Sequence, residues 1–428
     1  MIVTIRCANP QGTVQVPPSK SMSHRVLLAA GLAQGQSRIW NLGSSRDIQA
    51  TWGAVAQMGA KLRPQKQWTD VVGRGGIATL LRPIDCGESA TTLRLLIPVL
   101  SLTGQQVELV GSGRLLERPQ TVYQKIFDAQ GLLFVQSHRG VVLKGRLVPG
   151  AYTVPGGVSS QFISGLLFAL PLLHRPSTLR VLPPFESRPY VEMTLAVLKE
   201  FGVQVWWDEQ EENLLHIQAP QRFQNREYRI DGDYSQAAFF AVLGAIRGGV
   251  RLCGLRPDSC QGDAVILEIL RRCGAQMNWQ EGALVLEKSQ LSATTIDLAD
   301  CPDLGPILMV LALFCKGTTV IQNAQRLRIK ESDRISAMQQ ELAKFGAEVQ
   351  EENGTITIQG GPTTAPGLLD GHGDHRVVMS LAVAALAAGW EVSIQGAEAV
   401  KKSWPQFFAA LQQLGVQVEQ REGPAPPQ

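Results

Sequence analysis

The chain has 428 residues, room for two or three domains at roughly 100 to 200 residues each. Its 40 Lys and Arg against 37 Asp and Glu leave a net charge of +3, which excludes the broad basicity of a non-specific nucleic-acid binder, and 44% hydrophobic with 18% charged residues excludes a disordered chain. The opening MIVTIRCANPQG has no basic segment leading into an apolar core. The strongest apolar stretches, Phe162 to Leu173 and Val377 to Trp390, fall short of the ~20 residues of a membrane span, so a cytosolic protein is expected. The seven cysteines, Cys7, Cys86, Cys253, Cys260, Cys273, Cys301 and Cys315, include no CxxC pair and read as unpaired, mostly core thiols.

One pattern recurs along the chain: a helical stretch, a glycine, then the start of an alternating strand. It occurs as VAQMGAKL, IFDAQGLLF, VLKEFGVQV, ILRRCGAQM, ELAKFGAEV and ALQQLGVQV, with marker glycines Gly59, Gly131, Gly202, Gly274, Gly346 and Gly415 spaced 72, 71, 72, 72 and 69 residues apart. Glycine just past a helix end takes the left-handed conformation that a Cβ resists. Six such junctions at near-constant spacing predict a repeated α/β unit of about 70 residues. The helices are preceded by polar residues such as Asp47, Asp263 and Ser332, and Ile335, Met338, Leu342 and Phe345 recur at the spacing of a core-facing stripe. Six units divide into two domains of three. There is no GxGxxG after a first strand and no GxxxxGK[ST], and repetition would equally suit a scaffold, so function has to come from the sites.

In chain order, the first chemically loaded segment is Pro17-Pro18-Ser19-Lys20-Ser21-Met22-Ser23-His24-Arg25, leading into the apolar VLLAAGLA. Ser19 or Ser21 can cap that helix, while Lys20 and Arg25 put cations beside free N–H groups, a combination suited to an anionic oxygen ligand. Asp85 to Arg94 repeats the design, and Arg118-Pro119 puts an Arg at a helix entrance with Pro119 at the first helical position. Gly156 to Gln161 opens another apolar helix with Ser159 and Ser160 but lacks the GxSxG spacing of a nucleophile elbow, and Ser187-Arg188-Pro189-Tyr190 continues the theme. In the C-terminal half, Asp303 stands at the mouth of PILMVLALF, and Arg326 to Arg334 carries six charges in nine residues, from which Lys330, Glu331 and Arg334 can turn inward. Two His three apart beside Asp374 suggest a metal, but Arg376 would set a cation against it and no HExxH is present, so no metal is expected. Lys401-Lys402 precedes the last helix. Cations at so many helix entrances in a near-neutral chain predict a focused positive cleft for small multiply charged anions, with Asp303 and Glu331 for acid–base work.

PPSKSMSHR, GESATTLRLL, GRLLERP, SSQF, SRPY, PDLG, IKESDR, DHR and KKSWP stand in the order and spacing of the 5-enolpyruvylshikimate-3-phosphate synthase family, which the chain resembles from about residue 10 to residue 415. The resemblance implies an α/β fold of two domains, each of three βαβαββ-type units in an inside-out barrel, with the active site in the cleft between them. One domain would span 19–229 and bind mainly shikimate 3-phosphate. The other, 1–18 plus 230–428, would bind phosphoenolpyruvate and carry the acid–base residues. The implied reaction transfers the enolpyruvyl group of phosphoenolpyruvate to the 5-hydroxyl of shikimate 3-phosphate and releases phosphate, in a cytoplasmic monomer that needs no metal or organic cofactor and no partner beyond these small molecules.

Carried over by motif, Lys20, Ser21, Arg25, Ser159, Ser160, Gln161, Ser187, Tyr190, Asp303 and Lys330 would hold shikimate 3-phosphate, and Lys20, Ala90, Arg118, Gln161, Arg334, Arg376 and Lys402 would hold phosphoenolpyruvate. Asp303 would take the hydroxyl proton, and Glu331 or Lys20 would give one to the enol carbon C3. The sequence departs from many relatives in reading Glu88-Ser89-Ala90-Thr91 where they have Asn-Ala-Gly-Thr, which suggests an outward-pointing Glu88. It also has Arg326 where some have Asn, which puts that ligand contact in question. The related UDP-N-acetylglucosamine enolpyruvyl transferase carries Lys-Asn in the first motif and a loop Cys near the position of Arg114 to Arg118. Here the motif is Lys20-Ser21, and no Cys lies between Cys86 and Cys253. A non-catalytic anion-binding module would gain nothing from Asp303 and Glu331 among the cations.

Overall fold

In the computed structural model, which describes residues 1–6 and 9–422, the chain forms two compact units, Met1–Pro17 with Asp231–Gln428, and Pro18–Ile230. Cys7 lies outside the described residues. Each unit has its own hydrophobic core and contains three four-stranded sheets. No helix among the described residues is long and apolar enough to cross a membrane.

All six sheets share one topology. In the clearest example Ile84–Asp85 pairs parallel with Gln106–Val110, which pairs antiparallel with Val141–Lys144, and that strand pairs antiparallel with Leu133–Gln136. Helices Ala90–Ser101 and Thr121–Ala129 make the connections, so the repeat is βαβαββ. The same order recurs from Thr295–Asp297 to Thr355–Gln359 around helices Gly305–Phe314 and Arg334–Ala343. Three repeats borrow a strand from far along the chain. Ile2–Arg6 lies between Val392–Gln395 and Gln417–Arg421, Gly12–Gln15 pairs parallel with Val250–Cys253, and Glu227–Arg229 pairs parallel with Gln34–Trp40.

The marker glycines all have positive φ, from +66° to +103°, as a helix-to-strand junction of this kind requires. The two helices of a repeat differ in kind. The first is apolar around most of its circumference and buried, as in Gly305–Phe314 and His375–Ala388, whereas the second is amphipathic, as in Arg334–Ala343 with Ile335, Met338 and Leu342 inward. First helices can approach closely: a Cβ on Gly165 would overlap the Tyr123 hydroxyl and the Arg94 carbonyl, so glycine is what lets helix Ser160–Ala169 meet Ala90–Ser101.

Two helix starts differ from the sequence expectation. Pro119 is not the first helical residue: Gln120 is the cap of Thr121–Ala129, and Arg118 instead ends the short turn Leu115–Glu117. The cap of Arg334–Ala343 is Asp333, not Ser332, because the Asp333 carboxylate accepts from Ser336 N at 3.1 Å while Ser332 Oγ donates to Asp374.

Candidate functional site

In unit Pro18–Ile230 the three buried first helices each begin at a serine whose hydroxyl accepts a backbone N–H: Ser19 from Met22, Ser89 from Thr92 and Ser159 from Gln161. The sequence puts the cations just inside these caps. Lys20 Nζ donates to Asp47 Oδ2 at 2.9 Å, and Asp47 stands buried in the first turn of helix Arg46–Gln57. Arg25, 2% exposed, donates to Ser21 O (2.8 Å), Thr194 Oγ1 (2.8 Å), Tyr190 O (3.0 Å) and Ser164 Oγ (3.3 Å). This one guanidinium therefore ties the start of Lys20–Leu32 to Ser160–Ala169 and to Arg188–Glu200. Ser187, at the start of the last of these, has φ +57°, a conformation uncommon for a residue with a Cβ and found preferentially where function demands it.

A second group in the same unit centres on Arg94. It donates to Gln161 Oε1 at 3.0 Å, Pro119 O at 3.3 Å and Gln120 Oε1 at 3.4 Å, with its charge over the Phe162 ring. Gln161 in turn donates to Thr91 Oγ1 at 2.8 Å, so Ala90, Gln161 and the Arg118-Pro119 segment are gathered together. The Arg118 carbonyl accepts from Gln136 at 2.9 Å. Glu88 is exposed and its carboxylate lies against Gly113.

The other unit carries an ionic cluster. Asp303, in the turn Pro302–Leu304, accepts from Arg376 at 2.9 Å, Lys330 at 3.2 Å and Arg334 at 3.4 Å. Arg334 also donates to Glu331 at 2.8 Å and in two-pronged fashion to Asp374, at 2.8 and 3.3 Å. Asp374 further caps His375–Ala388 through the Arg376 N–H. Lys402 is buried at the end of the turn Ala397–Lys402, and Arg326 donates to Ala299 O at 2.7 Å.

The carboxylates Asp303 and Glu331 expected among the cations are joined by Asp374, so three cations are matched by three carboxylates. Burial alone would raise the Asp303 carboxyl, but Arg376, Lys330 and Arg334 outweigh it and hold the group well below the usual range. Burial lowers Lys330, with Asp303 opposing. Asp374 is likewise held low: Arg334 overcomes the effect of burial. A carboxylate held this way is a weak base, and turning any of the three cations away from it would strengthen it. Three members of these clusters were not singled out by the sequence: Asp47, seen only as a helix start, Asp374, seen within a rejected metal motif and the DHR motif, and Arg94, counted as a cation but not as the holder of Gln161.

Comparison with known proteins settles the family. The pattern of the EPSP synthase (3-phosphoshikimate 1-carboxyvinyltransferase) family matches residues 7–421. The chain belongs to that family. It is 38% identical over 415 residues to the 3-phosphoshikimate 1-carboxyvinyltransferase of Clostridium novyi, covering 94% of this chain and 95% of the relative. With that of Clostridium kluyveri it is 38% identical over 421 residues, 98% of each chain. Among solved structures, EPSP synthase from Acinetobacter baumannii superposes with a TM-score of 0.80 at 25% identity over 98% of this chain and 100% of that one. The enolpyruvyl transferase NikO from Streptomyces tendae shares the fold, with a TM-score of 0.80 at 17% identity over 99% of each chain. The chain is thus an enzyme of the shikimate pathway, transferring enolpyruvyl from phosphoenolpyruvate to shikimate 3-phosphate.

Proposed function

We propose that Ser21, Arg25, Ser159, Ser160, Gln161, Ser187 and Tyr190 hold shikimate 3-phosphate, that Lys20, Ala90, Arg118, Gln161, Arg334, Arg376 and Lys402 hold phosphoenolpyruvate, and that Asp303, Lys330 and Glu331 complete the reacting centre. The observation that carries this reading is the Asp303 carboxylate with three cations within 3.4 Å and Glu331 on the same Arg334. As the 5-hydroxyl attacks C2, its proton passes to Asp303, and C3 gains a proton from Glu331 or Lys20. The cations stabilise the carboxylate and phosphate of the tetrahedral adduct. Phosphate then leaves as C3 returns its proton and the enol ether forms. The six described cysteines are all free thiols, in keeping with a cytoplasmic enzyme, which we read as a monomer acting on small molecules alone.

Phosphate release on mixing enzyme with both substrates tests the activity, and Asp303→Ala tests the assignment. Loss of a general base costs about 10² to 10⁴ in rate. The variant should lose that much turnover while its KM for shikimate 3-phosphate stays within a few-fold. Turnover close to the parent would reject Asp303 as the base.

A further inference from the structure

His24 is 0% exposed, and none of the roles assigned above uses it. Its Nδ1 lies 2.6 Å from Thr51 Oγ1, which lies 2.7 Å from Thr92 Oγ1, which lies 2.8 Å from Ser89 Oγ. These four side chains come from three helices: Lys20–Leu32, Arg46–Gln57 and Ala90–Ser101 with its cap.

The direction of the chain can be read from its far end. Ser89 Oγ accepts the Thr92 N–H at 3.2 Å, and the geometry between the two hydroxyls makes Thr92 the donor to Ser89. Thr92 has one hydroxyl proton, so toward Thr51 it accepts. Thr51, donating to Thr92, must then accept from His24, which puts the imidazole proton on Nδ1. The other ring nitrogen agrees: His24 Nε2 is buried and has no hydrogen-bond partner among the described residues. A lone pair in such a place costs less than an N–H or a cation would.

We propose that His24 is a positioning residue: as the neutral Nδ1–H tautomer it heads a one-way chain of hydrogen bonds through Thr51 and Thr92 that sets Ser89, and with it the turn presenting Ala90 to phosphoenolpyruvate. The last step rests on the assignment of Ala90 made above. The chain supplies a second donor to the capping oxygen, so Ser89 is held by both the amide and the hydroxyl of Thr92 and the helix start is set before a ligand arrives. The Thr92 hydroxyl also reaches the Asp47 carbonyl as a long donor, at 3.5 Å, on the residue whose carboxylate holds Lys20.

Three variants of the full-length enzyme separate positioning from mere packing. His24→Leu removes the donor, Thr92→Val cuts the chain in its middle, and His24→Asn restores an N–H near the place of Nδ1. Long-range proton–nitrogen NMR of the parent should show His24 neutral with its proton on Nδ1; a proton on Nε2 would overturn the proposal. In the ligand-free enzyme, exchange of the Thr92 and Leu93 amides should quicken at least tenfold in the Leu and Val variants and recover in His24→Asn. Unchanged exchange in both would also overturn it. In turnover, the two broken variants should raise KM for phosphoenolpyruvate about five- to tenfold while KM for shikimate 3-phosphate moves less than twofold. If exchange quickens but only the shikimate 3-phosphate KM rises, the chain sets the turn and it is the assignment of Ala90 to phosphoenolpyruvate that fails.

Discussion

Buried charge decides most of what single residues do here. Asp374 is 0% exposed and grips Arg334 with both oxygens, so Asp374→Asn leaves a guanidinium short of a charge partner in the interior. Breaking a buried pair this way costs about 3 to 5 kcal/mol, and urea unfolding should show a loss of that size. Because the native carboxyl titrates below the ordinary 3.8, its contribution is complete above that value and disappears as pH falls through the lower native one. His24 acts in a higher window. Burial, aided by Lys20 and Arg25 and opposed by Asp47, lowers it from 6.5 to about 3. The unfolded chain therefore takes up a proton as pH drops below 6.5, while the native one does so only near 3. Stability is full above 6.5 and falls on acidification by at most about 1.4 kcal/mol per pH unit, and His24→Asn should flatten urea midpoints measured across that range. Ala90 bears on ligand choice. It is the first residue of its helix and 6% exposed, and we assign it to the place of phosphoenolpyruvate, which its methyl would narrow. On that assignment glyphosate, an anion longer than phosphoenolpyruvate, meets the Ala90 methyl and should inhibit weakly. Overlap of one methyl costs about 1 to 3 kcal/mol, so Ala90→Gly should lower the inhibition constant by roughly one to two decades with little change in KM.

At the scale of elements, the apolar first helices depend on glycine where they cross. Gly165→Ala would push a methyl against the Tyr123 hydroxyl, the Arg94 carbonyl and Pro98, and would disturb the bond from Tyr123 to Arg94 O, 2.7 Å long. Overpacking of this kind costs about 1 to 3 kcal/mol. Because Arg94 also holds Gln161, activity should fall along with the urea midpoint, whereas Gly53→Ala, on an open helix face, should leave activity unchanged and raise the urea midpoint slightly.

At the scale of the molecule, each unit carries its own core, and the residues we assign mainly to shikimate 3-phosphate lie in Pro18–Ile230. Shikimate 3-phosphate alone should thus stabilise Pro18–Ile230 above all, by about 2.7 kcal/mol at a concentration one hundred times Kd. Hydrogen exchange with that ligand should slow most at the starts of Lys20–Leu32, Ser160–Ala169 and Arg188–Glu200 and least in Ala283–Glu287, a strand of the other unit. Equal slowing throughout both units would count against that assignment of shikimate 3-phosphate.

The sequence by itself determined the repeat and the helix-ending glycines and put forward the candidates for the reacting groups, because these depend on local rules. A Cβ is disfavoured at positive φ wherever it occurs, apolar periodicity marks a buried face, and motifs such as Asp303-Leu304-Gly305 or Lys330-Glu331 are contiguous. What tertiary structure alone decided were the pairings between distant segments. Ile2–Arg6 completes a sheet whose other strands lie beyond residue 367, and Asp374 reaches back to Arg334. His24 finds Thr51 and Thr92, and Arg25 finds Thr194. Helix caps fell between the two: Ser19, Ser89 and Ser159 were legible as polar residues before apolar runs, but Asp333 displaced Ser332 because Ser332 is drawn to a carboxylate forty-two residues away. The balance of charge at Asp303 was hidden for the same reason. A sequence lists cations and carboxylates, while only the fold brings Arg376, seventy-three residues on, to the carboxylate it holds ionised.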